Sequence, residues 1–252
     1  MNNYDSFAAV YDLFYDDFAD DVEMYLGFAR RTGGPILEIG SGTGRVTLAL
    51  AEAGHTVVGL ELSDEMRAIA QEKIEEAGLA DRVRLVAGDM RRFKLDQHFG
   101  LVIAPINTFL HNLTLDDQLA TLNSIKKHLR PGGLLVLDCY NPDPAHADDD
   151  HRLILQRMAD DPESNELAQL WLSRTTDWSQ QLQSITYFAD RIDRRGQLWR
   201  TTLQTQFRFI FRYEMHLLLK QGGFDVKDIY GSYELEPFEN GSDKLIAVAM
   251  PA

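Results

Sequence analysis

Short apolar runs alternate with longer amphipathic segments between residues 35 and 139, and this alternation restricts the fold more than any other feature of the chain. The runs are rich in Val, Ile and Leu, a composition typical of strands that helices cover on both faces. Strands separated by helices form a parallel sheet, because the chain must cross back over the sheet before the next strand begins. The sequence therefore predicts an α/β core with strands at residues 35–39, 56–60, 83–87, 101–104 and 134–138.

The segments between these strands carry signals for the start and the end of helices. A helix over residues 44–53 ends at Gly54, and Ser63 and Thr114 are candidate side-chain caps at the starts of the next two helices. The Pro-Gly-Gly sequence at residues 131–133 is a helix breaker. We therefore expect a tight turn there, between the last of these helices and the fifth strand.

The pattern changes beyond residue 140. Runs rich in Thr, Trp, Tyr and Phe predict a small antiparallel sheet within residues 141–210, with "DRRGQ" at residues 193–197 as a hairpin turn. An amphipathic helix and two closing strands are expected in residues 211–252. The acidic stretch at residues 146–151 is predicted to be a solvated loop and not a metal site, because no matching distant set of ligands accompanies it.

Charge and composition limit the partners of the chain. A formal net charge of −14 over 252 residues repels phosphate backbones and anionic lipids, so we expect neither a nucleic acid nor a membrane as partner. The first residues show no basic region followed by an apolar core, so we expect no leader sequence, and no run approaches the roughly 20 apolar residues that cross a bilayer. The single cysteine, Cys139, excludes an internal disulfide and is interpreted as a buried, inert thiol. These features predict a cytoplasmic monomer or homodimer that acts on a small molecule.

Three glycines, Gly40, Gly42 and Gly44, follow the first predicted strand and precede a helix. Such a loop allows the backbone to approach a ligand closely, and the N–H groups at the helix start bind polar or anionic groups. A nicotinamide site usually has the spacing G-x-G-x-x-G, but Arg45 occupies the position of its third glycine in this chain. The loop therefore predicts a nucleotide-like ligand and argues against a dinucleotide, with an unliganded tight turn as the alternative.

Acidic residues lie at the ends of the first three predicted strands. Glu38 precedes the glycine loop, Glu61 follows the second strand and Asp89 follows the third. Open α/β sheets bind their ligands at this edge. The carboxylate of Glu61 can accept hydrogen bonds from both hydroxyls of a ribose, and that of Asp89 can accept one from the amine of an adenine. Met90 would then provide an apolar wall beside the adenine.

Residues 35–140 resemble the class I S-adenosylmethionine-dependent methyltransferases. "LEIGSGTG" is similar to the first motif of that family, Glu61 to its ribose-binding acid, "GDM" to its adenine-binding turn and "LVIAPINTFLHN" to the segment that faces the methyl donor. The outer stretches "YDSFAAVYD" and "YGSYELEPFENGSDKLIAVAM" resemble sugar-amine and amino-compound N-methyltransferases. The resemblance implies S-adenosylmethionine as cofactor. It also implies a Rossmann-like, doubly wound sheet of seven strands with the last antiparallel, to which the small antiparallel β insertion is added after the fifth strand.

The residues expected to bind the cofactor come from the first helix, the glycine loop and the strand ends. They are Tyr11, Glu38, Gly40, Gly42, Gly44, Glu61, Leu62, Met66, Asp89, Met90, Ile106 and Asn107. Tyr11 and Tyr15 are spaced four apart and share a helix face, so both could close over the sulfonium of the donor. The alternative for this pair is hydrophobic anchoring of the helix.

Methyl transfer from a sulfonium is an in-line displacement, so orientation can supply most of the rate and a dedicated base is optional. His111 is the candidate base and Tyr15 the second candidate catalytic residue, and for His111 the alternative is a structural hydrogen bond to backbone. Because no convincing base is visible, we expect N-methylation ahead of O-methylation. The alternatives are a nicotinamide-dependent oxidoreductase, a non-catalytic sensor on the same fold, and a basic protein as methyl acceptor.

The expected organisation has three parts. Residues 1–34 form a helical cap over the cofactor site, and residues 35–140 and 211–252 form the cofactor-binding core. Residues 141–210 form a lid over the substrate, which we expect to set substrate choice because the core supplies only the common cofactor.

Overall fold

The computed structural model describes residues 4–143, 150–161 and 166–252. The described residues form one seven-stranded sheet and one separate four-stranded sheet. The strands of the larger sheet are β1 Ile36–Ile39, β2 Val57–Glu61, β3 Val83–Ala87, β4 Phe99–Ala104, β5 Leu129–Tyr140, β10 Phe224–Tyr230 and β11 Lys244–Pro251. The strands of the smaller sheet are β6 Ile154–Asp160, β7 Leu167–Asp177, β8 Leu182–Ile192 and β9 Leu198–Arg208.

The larger sheet has the strand order β10-β11-β5-β4-β1-β2-β3. Pairing is parallel between β3, β2, β1, β4 and β5, whereas β11 is antiparallel to both of its neighbours, β5 and β10. The last strand is therefore inserted beside the sixth strand of this sheet. This order and the separate antiparallel sheet after β5 confirm the predicted fold class.

The described residues form six α-helices: α1 Ala8–Tyr15, α2 Val22–Thr32, α3 Arg45–Glu52, α4 Asp64–Glu76, α5 Leu115–His128 and α6 Arg212–Gln221. Helices α2 and α3 pack on one face of the sheet, and α5 and α6 pack on the other. The predicted caps are present, because the Ser63 hydroxyl accepts from the Met66 N–H and the Thr114 hydroxyl accepts from the Asp117 N–H. These caps fix where α4 and α5 begin, and with them the positions of the preceding loops.

The predicted turn at residues 131–133 is wrong. Helix α5 already ends at His128, and the Pro-Gly-Gly sequence lies inside β5. Pairing with β4 starts at Phe99 and Leu129, shifts register, and resumes at Leu101 and Leu134. Residues 131–133 therefore form an irregularity near the start of the strand. Gly132 permits it, because glycine tolerates the positive φ of 77° found there.

The four-stranded sheet is antiparallel throughout, and residues 193–197 connect β8 to β9 as predicted. Phe7, Val10 and Phe14 on and beside α1 pack with apolar residues of this sheet such as Leu170 and Leu203. Helix α1 is therefore held against the insertion. The predicted acidic loop at residues 146–151 lies mostly outside the described residues, since its residues 146–149 are among the undescribed ones.

No helix in the described ranges is both long enough and apolar enough to cross a membrane.

Candidate active site

A cavity of about 240 Å³, here called the strand-tip cavity, lies at the carboxyl ends of β1 to β4. Predicted residues that line it are Tyr11, Gly40, Gly42, Glu61, Leu62, Met66, Asp89, Met90, Ile106 and His111. Lining residues that the sequence did not single out are Tyr4, Leu60, Gly88 and Thr108. The chain thus brings together most of the predicted positions, which are spread over about a hundred residues of sequence.

The glycine loop requires glycine at two lining positions. Gly40 and Gly42 have φ values of 68° and 54°, in the left-handed region that favours glycine. A Cβ at Gly40 would lie 2.6 Å from Cγ2 of Thr108, so a side chain there would collide with the wall of the cavity. A Cβ at Gly42 would meet no atom within 4 Å, which leaves open space against the cavity. The loop therefore forms a floor that a ligand can approach at backbone distance.

Glu61 connects the glycine loop to the end of β2. Its carboxylate accepts hydrogen bonds from the N–H of Gly42 at 2.9 Å and from the N–H of Ser63 at 2.7 Å. Burial raises the pKa of the Glu61 carboxyl, and the backbone N–H groups of Ser63 and Gly42 oppose that rise. A carboxylate has about four acceptor positions. Glu61 therefore keeps acceptor capacity toward the cavity while it holds the loop.

Asp89 is held by a partner that the sequence analysis missed. Arg91 donates to its carboxylate from the backbone N–H at 2.9 Å and from Nη2 at 2.7 Å. These hydrogen bonds, the side-chain bonds first, lower the pKa of the Asp89 carboxyl. The carboxylate is ionised and fixed in orientation, but much of its acceptor capacity is already used by Arg91. A pair two residues apart has no periodicity signal, and only the turn after β3 brings it together.

Four predicted site residues do not line the strand-tip cavity: Glu38, Gly44, Asn107 and Tyr15. Glu38 is 2% exposed and accepts a short hydrogen bond from the Thr47 hydroxyl. Burial raises the pKa of its carboxyl to about 8. The Tyr15 ring stacks on the Tyr11 ring with centroids 4.6 Å apart. Glu38 therefore joins β1 to α3 within the core, and Tyr15 supports Tyr11.

The chain segment after β4 has an unusual backbone. Ile106 and Asn107 have φ values of 37° and 65°, and for a β-branched residue such as Ile106 this region is strained. The Asn107 side chain accepts from the Tyr140 N–H at 2.7 Å, and the Asp138 carboxylate accepts from the Ile106 N–H at 3.1 Å. Two residues of β5 thus hold Ile106 against the cavity.

Asp138 is fully buried and joins several elements at this point. Its Oδ2 also accepts from the hydroxyl of Tyr25 at 3.2 Å and from that of Tyr233 at 3.1 Å. Burial raises the pKa of the Asp138 carboxyl, while the Lys244 ammonium opposes that rise. The backbone beside the cavity is therefore anchored to α2 and to the segment between β10 and β11.

His111 and Tyr4 form a polar pair on the cavity wall. Nε2 of His111 lies 3.4 Å from the Tyr4 hydroxyl, and the His111 ring also contacts Phe207 of the insertion edge to face at 4.7 Å between centroids. Burial lowers the pKa of His111 to about 4 and raises that of the Tyr4 hydroxyl. Both side chains are consequently uncharged near neutral pH.

The N-terminal residues, of which Tyr4 and Tyr11 line the cavity, are attached to the core by charged contacts. Arg45 forms a bidentate ion pair with the buried Asp21, with N–O distances of 2.6 and 2.8 Å. Lys73 of α4 pairs with Asp12 at 2.8 Å, and the Asp12 carboxylate also accepts from the Thr43 hydroxyl. Arg45, which occupies the position of the third dinucleotide glycine, therefore fastens the segment before α2 to the start of α3.

Comparison with known proteins identifies a methyltransferase domain in this chain. The sequence model described as methyltransferase domain matches residues 36–133, the segment that supplies most of the cavity wall. Residues 36–133 therefore form a methyltransferase domain, and the chain as a whole is similar to methyltransferases. A methyltransferase domain favours a methyl donor over the nicotinamide cofactor of the alternative prediction. The residue roles within the site remain predictions.

Three relatives illustrate the similarity of the methyltransferase to known proteins. A cypemycin N-terminal methyltransferase from a Streptomyces species is 29% identical over 86% of this chain and 82% of its own length. The CcbJ methyltransferase from Streptomyces caelestis has a TM-score of 0.83 at 24% identity, over 100% of this chain and 98% of that one. The glycopeptide N-methyltransferase MtfA, complexed with S-adenosylhomocysteine, has a TM-score of 0.62 at 25% identity, over 95% and 91%.

Proposed function

We propose that the methyltransferase transfers the methyl group of S-adenosylmethionine to a nitrogen atom of a small-molecule amine. The observation that carries this proposal is the composition of the strand-tip cavity. Leu62, Met66 and Met90 offer apolar contact for an adenine, Glu61 offers carboxylate oxygens for a ribose, and the glycine loop allows close backbone approach. These residues fit the chemistry of the cofactor.

The remaining lining residues suit the transfer end of the site. When bound, S-adenosylmethionine would supply an electrophilic methyl group on a sulfonium: the neutral acceptor nitrogen would bond to the methyl carbon in line with the C–S bond, and the electron pair of that bond would go to sulfur, leaving S-adenosylhomocysteine. Tyr4 and Tyr11 bring aromatic rings to the cavity wall, and such rings attract a cationic group. The strained segment at Ile106 and the rings of the cap together exclude water and restrict the angle from which an acceptor can approach.

The protonation state of His111 favours nitrogen over oxygen as the acceptor atom. A hydroxyl acceptor benefits from a base that removes its proton, and a base works best when its pKa lies near the operating pH. The pKa of His111 is about 4, which makes it a weak base at neutral pH. An amine can lose its proton to water before it binds, and it then needs no base in the site. Among the relatives described above, MtfA is named an N-methyltransferase and the cypemycin enzyme an N-terminal methyltransferase.

The test uses S-adenosylmethionine carrying an isotopically labelled methyl group and a panel of amines, each paired with the alcohol or phenol of the same skeleton. We expect mass spectrometry to show labelled methyl on one or more amines, and little on the paired hydroxyl compounds. Methylation of the hydroxyl members alone would contradict the proposal.

Binding of S-adenosylhomocysteine is measured in parallel by calorimetry. Binding without transfer to any member of a broad panel, including peptides with a free N-terminus and basic proteins, would favour a non-catalytic sensor and would overturn the proposed reaction. Transfer to peptides alone would place the acceptor outside the small molecules.

A further inference from the structure

A second and larger cavity of about 820 Å³, here called the insertion cavity, lies between the four-stranded sheet, the end of β5 and the segment before β11. Arg174, Thr176 and Gln183 of the sheet line one side, and Tyr140 lies at the end of β5. The backbone N–H of Tyr140 donates to Asn107, the neighbour of Ile106 in the strand-tip cavity. The end of β5 therefore lines the insertion cavity and, through Asn107, is joined to the backbone beside the strand-tip cavity.

Two hydrogen-bond donors on the wall of the insertion cavity are unsatisfied. The Tyr140 hydroxyl and Nε of Arg212 are buried, and neither has a hydrogen-bond partner in the part of the chain that the structure describes. A buried polar group without a partner is costly, so native proteins rarely retain one unless a ligand or water completes it. Burial raises the pKa of the Tyr140 hydroxyl, which keeps it protonated and able to donate. A ligand that places a hydrogen-bond acceptor beside each of these two donors would therefore satisfy them.

The Arg212 guanidinium is placed as an anion-binding group. It lies over the rings of Tyr213 and Phe238, with its Cζ 5.2 and 5.8 Å from their centroids. Stacking on rings holds a guanidinium in one plane without using its N–H groups, and a planar guanidinium matches the geometry of carboxylate and phosphate oxygens. Carboxylate residues, among them Asp243, also line the cavity, and these suit a cationic amine.

We propose that the insertion cavity binds the methyl acceptor, and that this acceptor is an amine that also bears a carboxylate or phosphate, recognised by Arg212 and the Tyr140 hydroxyl. This inference rests on the proposed function, since it describes the acceptor of that reaction. Arg212 acts on specificity and not on methyl transfer itself. The amine of the acceptor then extends past Tyr140 toward the strand-tip cavity.

The test compares two pairs of probes that differ only in the anionic group: phenylalanine against 2-phenylethylamine, and glucosamine 6-phosphate against glucosamine. Binding is measured by calorimetry and by the fluorescence of Trp178, taken as the part of the tryptophan response that a Trp178→Phe variant loses, because the chain has three tryptophans and Trp178 lines the insertion cavity. We expect the anionic member of at least one pair to bind about tenfold more tightly, the effect of one charge-assisted hydrogen bond. The pair that shows the preference distinguishes a carboxylate from a phosphate.

Three variants and one control test whether Arg212 and Tyr140 cause the preference for the anionic probe. Arg212→Gln is expected to abolish the preference for the anionic probe, Arg212→Lys to retain part of it, and Tyr140→Phe to reduce it severalfold. Arg195→Gln is the matched control, because Arg195 is exposed in the connection between β8 and β9. Binding of S-adenosylhomocysteine in every variant reports whether the core remains folded.

Equal binding of both members of both pairs, no response of Trp178 fluorescence to any anionic probe, or an unchanged preference in Arg212→Gln would each overturn the inference. Failure of the proposed function has a different signature. In that case the parent protein transfers no methyl group to any amine, whatever the anionic probes do to Trp178 fluorescence.

Discussion

At the residue scale, Glu61 combines an observed contact with a proposed one. It holds the glycine loop through the N–H of Gly42, and we propose that it also binds the ribose of the cofactor. Glu61→Ala removes both kinds of hydrogen bond. We expect the affinity for S-adenosylhomocysteine to fall about 10- to 100-fold in calorimetry, from losses of about 1.5–3 kcal/mol for a hydrogen bond to a charged group.

Glu65→Ala is the control for this change, because Glu65 is exposed in the first turn of α4. Equal affinity of the Glu61→Ala variant and the parent would remove Glu61 from the cofactor site. A thermal melt of each variant without ligand distinguishes loss of a contact from loss of the fold.

The raised pKa of Glu38 predicts that the protein loses stability as the pH rises, whereas most carboxylates make a protein less stable as the pH falls. Its folded pKa of about 8 lies above the value of an unfolded glutamate, so the folded state binds the extra proton between the two values. The free energy of unfolding therefore decreases as the pH rises through this window, by up to about 1.4 kcal/mol per pH unit. Glu38→Gln keeps an acceptor for Thr47 and is expected to flatten this slope in urea titrations.

Glu52→Gln serves as the control for the Glu38 prediction, because Glu52 is an exposed residue of α3. If the Glu38→Gln variant and the parent lose stability with pH at the same rate, Glu38 is already ionised in the folded protein.

At the scale of elements, the attachment of α1 to α4 is expected to control how fast the cofactor leaves. Lys73 pairs with Asp12 and Asp16 on the cap, while Tyr4 and Tyr11 cover the strand-tip cavity. Lys73→Met removes two partly exposed ion pairs, which contribute about 0.2–1 kcal/mol each. We expect the dissociation rate of S-adenosylhomocysteine in stopped-flow measurements to rise severalfold.

Lys94→Met is the matched control, since Lys94 is exposed and lies outside the cap contacts. A dissociation rate in Lys73→Met equal to that of the parent would show that the cap opens without breaking this attachment.

The elements of the core could be predicted from the sequence because their signals are local. Apolar runs, the caps at Ser63 and Thr114 and the acids at the strand ends each act over a few residues. The start of β5 could not be predicted, because its irregular pairing with β4 allows a strand to contain residues 131–133. The tertiary pairing there outweighs the usual preference of Pro and Gly for turns.

The lining residues that were predicted follow a strand or lie in a motif or helix that the sequence shows, as Tyr11 and Met66 do. Tyr4, before α1, and Thr108, after β4, reach the cavity through the path of the chain, which no periodicity describes. Asn107 was expected at the cofactor, but its amide is used to hold β5. The insertion cavity had no sequence signal beyond its aromatic residues, because its wall combines segments far apart in the chain.

At the scale of the whole molecule, α1 lies between the two parts that we expect to bind ligands. Its apolar side packs on the sheet of β6 to β9, and Tyr11 lines the strand-tip cavity. We expect S-adenosylhomocysteine to slow amide hydrogen exchange in α1 and in that sheet, measured by mass spectrometry, with little change in β10. Protection confined to residues 36–90 would show that the insertion is independent of the cofactor.

The position of α1 also has a thermodynamic consequence. The sheet that supports this helix supplies Arg174 and Gln183 to the insertion cavity, so one arrangement of helix and sheet serves both sites. If the cofactor stabilises that arrangement, the acceptor binds to a protein that is already ordered. Linkage then requires reciprocity: the factor by which the cofactor tightens acceptor binding equals the factor by which the acceptor tightens cofactor binding.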